Sequence, residues 1–207
     1  MSALLRFLAL GGICLTAAAA DFSYYMLSLS YAPNFCAQAG RNRNPRECST
    51  GAPAFVVHGL WPQNDRGRGP ERCAPVRPVA ADLVRLMLNY IPSESLIQHE
   101  WATHGTCSGL APAEYFADVR RLADSIRIPP LLAEVRQRLE TSPQAVGNDF
   151  AQANPGIPRS GFRVACYPDA GLEEVRICFD KTLQAQPCNG ASECTRMTIW
   201  LLPAPRR

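Results

Sequence analysis

Three histidines and one glutamate are the residues of this sequence best suited to proton transfer. The sequence contains only three histidines, and they fall in two short segments. His58 lies in FVVHGLWPQ, whereas His99 and His104 lie with Glu100 in HEWATHGTC. Histidine is the side chain that ordinarily gains and loses protons near neutral pH. A hydrogen-bonded core histidine would be the default interpretation of any one of them, but the set of three with Glu100 favours acid–base catalysis.

The spacing within the second segment suggests how its residues cooperate. On a helix, Glu100 and His104 would share a face, so the carboxylate could orient the imidazole and raise its pKa. His99 and His104 are five residues apart and therefore lack the four-residue spacing of a zinc-binding HExxH pair. We accordingly predict no metal site. Trp61 and Trp101 are close to these residues in sequence, and each could either stack a nucleobase or pack in the core.

Two predicted elements position the candidate site. Residues 54–59 form a short, apolar, β-branched run that predicts a buried strand, with His58 near its end. A helix is predicted to begin at Ser93 or Ser95 and to run to about His104, with Gly105 at its C-terminal end. The histidines would therefore come from a strand and from a helix.

The remaining pattern predicts an α+β fold. Residues 21–31 alternate as a half-buried strand, with four apolar residues on one face and two serines on the other: Tyr25, Leu27, Leu29 and Tyr31 against Ser28 and Ser30. Residues 174–179 and 197–201 alternate in the same way. Helices are predicted at residues 78–90, 112–126 and 130–139, and loops at 32–51, 63–78 and 141–160. We expect a central, mostly antiparallel sheet with several helices packed beside it, in one domain spanning residues 21–207.

The N-terminal segment and the cysteines indicate export. Residues 1–20 combine Arg6, an apolar stretch and small residues before Asp21, which is typical of a cleaved secretory signal. No membrane anchor is expected after cleavage. Of the nine cysteines, Cys14 lies in this segment, and the other eight predict four disulfides in an oxidising compartment. Paired zinc sites are the alternative, but no CxxC pair exists.

The formal charge of the chain is +3. This mild basic bias excludes a protein that binds nucleic acid through electrostatics alone. Function therefore has to be inferred from the histidine segments.

FVVHGLWPQ and HEWATHGTC resemble, in the same order, the two active-site segments of the ribonuclease T2 family. YYMLSLSYAPNFC resembles the family's first strand and LEEVRICFD its late strand, so the resemblance spans nearly the whole mature chain. It implies an endoribonuclease that cleaves single-stranded RNA without metal or cofactor, through a 2′,3′-cyclic phosphate to 3′-phosphate ends. Broad base preference, a monomer and a periplasmic or secreted location are expected.

The resemblance also implies a role for each candidate residue. His104 matches the general base that takes the proton of the ribose 2′-hydroxyl, and His58 matches the general acid that protonates the leaving 5′-oxygen. His99 and Glu100 match positions that hold the scissile phosphate and stabilise its charge. Trp61 matches a base-stacking position. Since RNA carries its own nucleophile, two imidazoles in opposite protonation states suffice for the reaction.

Two positions, Thr103 and Gln63, depart from the family pattern. Thr103 stands where the family commonly has a lysine that helps to neutralise the phosphate, so either a nearby arginine replaces it or catalysis is weakened. The alternative function is therefore a secreted RNA-binding protein of the same fold with weak or lost catalysis. Gln63 replaces an acidic residue that some members use to recognise adenine.

The resemblance implies the pairs Cys73–Cys107, Cys166–Cys194 and Cys178–Cys188, leaving Cys36–Cys48.

Overall fold

A computed structural model describes residues 20–39, 46–190 and 193–204. The predicted secretory signal, apart from Ala20, lies outside the described residues and stays a prediction. The strands are β1 (Tyr24–Tyr31), β2 (Phe55–Gln63), β3 (Leu139–Thr141), β4 (Phe162–Cys166), β5 (Leu172–Phe179) and β6 (Ile199–Leu201). The α-helices are α1 (Ala32–Ala39), α2 (Ala81–Met87), α3 (Glu94–Thr103), α4 (Pro112–Ser125), α5 (Pro130–Ala133) and α6 (Pro143–Ala153).

The strands form two antiparallel sheets. The central sheet has four strands in the order β2-β1-β5-β4, and β3 pairs with β6 in a second sheet of two strands. Helices pack beside the central sheet, so the predicted α+β fold with a mostly antiparallel sheet is confirmed.

Strand β1 is buried on both faces, with only Ser30 of intermediate exposure, whereas its alternation predicted a half-buried strand. Its apolar face contributes to the main core, where Tyr25, Leu27, Leu29 and Tyr31 are all buried. Helix α4 covers this core with an apolar stripe consisting of Tyr115, Phe116, Val119 and Leu122. The Tyr115 hydroxyl donates a hydrogen bond of 2.8 Å to the Leu60 carbonyl, which ties α4 to β2. The opposite face of β1 carries Ser28 and Ser30.

Two segments predicted as loops are helical instead. Helix α6 occupies most of residues 141–160: Ser142 caps it by accepting from the Ala145 backbone, Pro143 begins it, and Val146 and Phe150 bury its inner face. Helix α1 occupies residues within the predicted loop 32–51. Its Asn34 amide donates to the carbonyls of Leu172 and Trp200, so tertiary contacts decide its conformation.

Two predicted helices are shorter than expected. In the segment 130–139, only Pro130–Ala133 is helical, because Leu139–Thr141 pairs with Ile199–Leu201 as a strand. Helix α2 covers only Ala81–Met87 of the predicted 78–90. The other two predicted helices are close to the observed α3 and α4, and Ser93 is the N-terminal cap of α3.

All four disulfides implied by the resemblance are present: Cys36–Cys48, Cys73–Cys107, Cys166–Cys194 and Cys178–Cys188. Cys73–Cys107 connects the long loop after β2 to the turn after α3. Close to this bond, the Arg72 backbone N–H donates to the Thr103 carbonyl at 2.8 Å. In the part of the chain that the structure describes, no helix has the length and apolar character needed to cross a membrane.

Candidate active site

A β-bulge places His58. On β1, the neighbouring residues Ser28 and Leu29 pair with Gly59 and Val57 of β2, so His58 is an extra residue in the ladder. Side chains three residues apart on a regular strand point to opposite faces of the sheet. The bulge changes this alternation, and the rings of His58 and Trp61 lie on the same face with their centroids 5.1 Å apart.

Glu100 reaches these residues from helix α3. The Trp61 indole N–H donates a 2.8 Å hydrogen bond to Glu100 Oε2, and Glu100 Oε1 lies 3.7 Å from His58 Nε2. A Cβ atom on residue 59 would lie 1.9 Å from Glu100 Oε2. Gly59 is therefore required at this point, since any side chain there would displace the carboxylate.

A second carboxylate approaches His58 from strand β5. His58 Nδ1 donates a 2.5 Å hydrogen bond to Glu174 Oε1, and Arg176 Nε donates a 2.8 Å hydrogen bond to Glu174 Oε2. In the sheet register, Ser28 lies between Gly59 and Arg176, and Ser30 lies opposite Glu174. Because these serines of β1 are small, the longer side chains of β5 can reach across to β2.

His104 comes from the end of α3. Its backbone N–H donates to the Glu100 carbonyl at 2.9 Å, and its carbonyl accepts from the Cys107 N–H at 3.0 Å. Its ring centroid lies 5.5 Å from that of Trp61. The ring nitrogen Nδ1 is buried and has no hydrogen-bond partner among the described residues. The imidazoles of His58 and His104 therefore contact the same indole ring.

The two imidazoles have opposite electrostatic surroundings. Burial alone would lower the pKa of His58, but the hydrogen bond to Glu174 and the charges of Glu174 and Glu100 outweigh this effect and raise that pKa. Burial lowers the pKa of His104 to about 4, and the positive charges of His99, His58 and Arg72 act in the same direction. Near neutral pH, His104 is neutral, whereas His58 holds its proton to a higher pH than a free imidazole does.

The two carboxylates also differ. Burial raises the pKa of Glu100 to about 7, against the opposing effects of the His58 charge and the Trp61 hydrogen bond. Burial would likewise raise the pKa of Glu174, but its hydrogen bond and ion pair with His58, together with Arg176, hold that pKa at about 2. Glu174 is therefore the permanently charged partner of His58.

His58 and His104 line two different grooves. The larger has a volume of about 830 Å³ and is lined by His58, His99 and Glu174, among others. The smaller has a volume of about 640 Å³ and is lined by Trp61, His104 and Arg176, among others.

The structure brings four of the five predicted site residues into direct contact around Trp61: His58, Trp61, Glu100 and His104. His99 is exposed at the larger groove, and its Nε2 lies 3.5 Å from the Thr103 hydroxyl. Trp101, for which both interpretations were open, is buried in the core against Tyr115.

The predicted coupling of Glu100 to His104 is wrong. The Glu100 carboxylate contacts Trp61 and His58, and the pKa of His104 is lowered rather than raised. The reason is local: helix α3 ends at Thr103, and His104 has a φ of −114°, away from helical geometry. Although Glu100 and His104 are four residues apart, their side chains therefore do not share a helix face.

The sequence reasoning missed Glu174 and Arg176. Their alternation with apolar residues was noted, but it does not reveal that both faces of β5 are covered. Glu174 is only 3% exposed. A usable signal in the sequence is that Glu174 and Arg176 share one face of their strand, as the small Ser28 and Ser30 do on β1. These residues pair with each other in the sheet.

Comparison with known proteins identifies the family of this chain. The profile of the Ribonuclease T2 family matches residues 22–188. A ribonuclease of Aeromonas hydrophila is 32% identical over 177 residues, which cover 79% of this chain and 74% of that protein. A probable ribonuclease of Haemophilus influenzae is 31% identical over 192 residues, covering 83% of this chain. The match spans 62% of the Haemophilus protein, less than two thirds of its length.

The fold has a solved counterpart. The structure of an RNase-related protein from Calystegia sepium superposes with a TM-score of 0.72 and 25% identity, covering 89% of this chain and 98% of that one. This chain therefore belongs to the ribonuclease T2 family of enzymes, which its two histidine motifs predicted.

Proposed function

We propose that this protein is an endoribonuclease that cleaves single-stranded RNA by metal-independent transphosphorylation, with broad base specificity. The observation that carries the proposal is the pair of imidazoles on one indole ring, one with a lowered pKa and one with a raised pKa. General acid–base catalysis of a phosphodiester needs such a pair on the two sides of the phosphorus.

In the first step, His104 takes the proton of the 2′-hydroxyl as its oxygen attacks phosphorus. The bond from phosphorus to the 5′-oxygen breaks, and His58 gives its proton to that leaving oxygen. The product is a 2′,3′-cyclic phosphate. In the second step the roles reverse: His58 activates water, His104 protonates the 2′-oxygen, and a 3′-phosphate forms. The requirement for a 2′-hydroxyl selects RNA over DNA.

The other site residues have supporting roles in this proposal. Glu100 holds Trp61 through the indole N–H and stabilises the imidazolium of His58 across 3.7 Å. His99, exposed in the larger groove, contacts the phosphate. Trp61 is half-buried, and it offers an aromatic surface to a base in the smaller groove.

The mature enzyme is proposed to be a monomeric single domain, residues 21–207, in the periplasm or outside the cell. The four disulfides support an oxidising compartment. The predicted signal segment at residues 1–20 supplies the export route.

Digestion of total RNA with EDTA present tests the proposal. We expect rapid degradation, with 2′,3′-cyclic phosphate ends appearing first and 3′-phosphate ends accumulating afterwards. Gel retardation of RNA without cleavage would instead identify the RNA-binding alternative, which the neutral Thr103 beside His104 favours. Activity abolished by EDTA would identify a metal-dependent phosphohydrolase. Digestion of the four homopolymers measures base specificity.

A further inference from the structure

One arginine lies at the junction of the candidate site residues. Arg176 lines the smaller groove together with Trp61 and His104. Its guanidinium carbon is 5.5 Å from the centroid of the Trp61 ring, and its Nε donates to Glu174 at 2.8 Å. The side chain is only 18% exposed, so packing restricts its position in addition to these contacts. A cation held in this way is preorganised with respect to the groove.

Arg176 shares its carboxylate partner, Glu174, with His58. The single Glu174 carboxylate lies between two cationic groups, contacting Arg176 at 2.8 Å and His58 at 2.5 Å. When His58 is protonated, these three side chains together carry one net positive charge, which an ionised Glu100, 3.7 Å from His58, would offset. Arg176 itself is only 18% exposed, so water screens its charge less than at the open surface.

The proposed reaction creates a need for such a group. A phosphodiester carries one negative charge and gains a second as the 2′-oxygen attacks. The residue before His104 is the neutral Thr103, whose hydroxyl lies near His99 rather than supplying a charge. Arg68 also lines the smaller groove, but it is exposed, so solvent screens its charge more strongly. A guanidinium offers several N–H donors in a planar fork that suits phosphate oxygens.

We propose that Arg176 is a catalytic residue that neutralises the scissile phosphate as its second negative charge develops, and that Glu174 positions it. This inference rests on the proposed ribonuclease function. Arg176 on strand β5 would then supply the positive charge that the family's lysine supplies at the position of Thr103.

The test compares Arg176→Ala with the wild type by steady-state kinetics on a short oligoribonucleotide. Measurement on the pH plateau keeps a shift in the His58 pKa from affecting the rates. We expect kcat to fall about 10²–10³-fold with little change in KM, because the contact strengthens in the transition state. Millimolar guanidinium chloride, compared with equal sodium chloride, should restore part of the lost kcat. Arg176→Lys keeps the charge and should have a kcat at least about tenfold above that of the alanine variant.

Arg138→Ala is a matched control. Arg138 also lies over a tryptophan, 4.9 Å from the Trp200 ring, and pairs with a nearby glutamate. It is 55% exposed and directly precedes β3 of the second sheet. Its removal should leave kcat unchanged. The inference is overturned if Arg176→Ala keeps kcat within about threefold of wild type, or if its loss is not relieved by guanidinium. Failure of the ribonuclease proposal is separate: wild type would not cleave, or His104→Ala would stay active.

Discussion

His58 and His104 have the same side chain, but their surroundings shift its pKa in opposite directions. His58 lies in the central sheet, within reach of the carboxylates of Glu174 and Glu100. His104 lies at a helix end, where no carboxylate of the described residues comes within ion-pair distance and other positive groups lower its pKa. The difference shows that tertiary contacts determine which imidazole holds its proton to the higher pH. Chain order and the local motif do not.

The largest effects are expected from removing either imidazole. His58→Ala and His104→Ala should each lower kcat about 10²–10⁴-fold, since each loses one proton transfer. Initial rates on an oligoribonucleotide measure the loss, and circular dichroism checks folding. Near wild-type turnover in either variant would contradict the role assignment.

A substrate with an activated leaving group separates the two roles. A nucleoside 3′-aryl phosphate expels a weakly basic phenolate that needs little protonation. The defect of His58→Ala should therefore nearly disappear on this substrate, whereas that of His104→Ala should persist. Equal defects on both substrates would mean that the two histidines are not distinguished as acid and base.

The pH dependence of wild-type kcat/KM should be bell-shaped. Activity should fall as the pH drops through about 4, where His104 becomes protonated and can no longer accept a proton. It should also fall as the pH rises through the elevated pKa of His58, where the acid loses its proton. Rates between pH 3 and 9 on an oligoribonucleotide measure both limbs, about tenfold per pH unit. A monotonic rise into alkaline pH would contradict the assignment.

Glu174→Gln changes the environment of only one of the two imidazoles. The amide removes the charge that raises the pKa of His58, so the alkaline limb of the kcat/KM profile should move to lower pH. The acidic limb, set by His104, should stay in place, and kcat on the plateau should fall about tenfold. Glu140→Gln, an exposed glutamate on β3, serves as the control. Movement of both limbs would show that Glu174 affects the pKa of His104 as well as that of His58.

Glu100→Gln should have a smaller effect. An amide oxygen can still accept the Trp61 hydrogen bond, whereas the charge facing His58 is lost. We expect kcat to fall less than in Glu174→Gln, by about threefold to tenfold. A loss as large as that of the histidine variants would instead mean that Glu100 itself transfers a proton.

Trp61→Phe should have the smallest effect on the chemical step. It keeps an aromatic ring between the two imidazoles but removes the N–H that holds Glu100. We expect a change of about threefold or less in kcat and a larger change in KM. Steady-state kinetics on homopolymers would measure both.

The parts of the fold that the sequence predicted are those with a local cause. The alternation in β1 and the Ser93 cap of α3 are visible in a few neighbouring residues. By contrast, Asn34 anchors α1 through carbonyls more than 130 residues away, and no local pattern reports such contacts.

The candidate site divides in the same way. His58, Glu100 and His104 were recognised from short motifs. Glu174 and Arg176 become site residues only because β5 pairs with β1, and the spacing of Glu100 and His104 misled because the helix ends between them. Residue type and motif therefore identify the reactive groups, whereas long-range pairing determines which group acts on which.

The extra residue in β2 has a consequence for transplanting this chemistry to another scaffold. Copying the histidine and the tryptophan onto a regular antiparallel strand at the same spacing would send one ring toward solvent and the other into the interior. A designer would have to import the irregularity along with the side chains, or move the tryptophan by one position. The same parity constraint makes single-residue insertions and deletions between residues 58 and 61 far more damaging than most substitutions there.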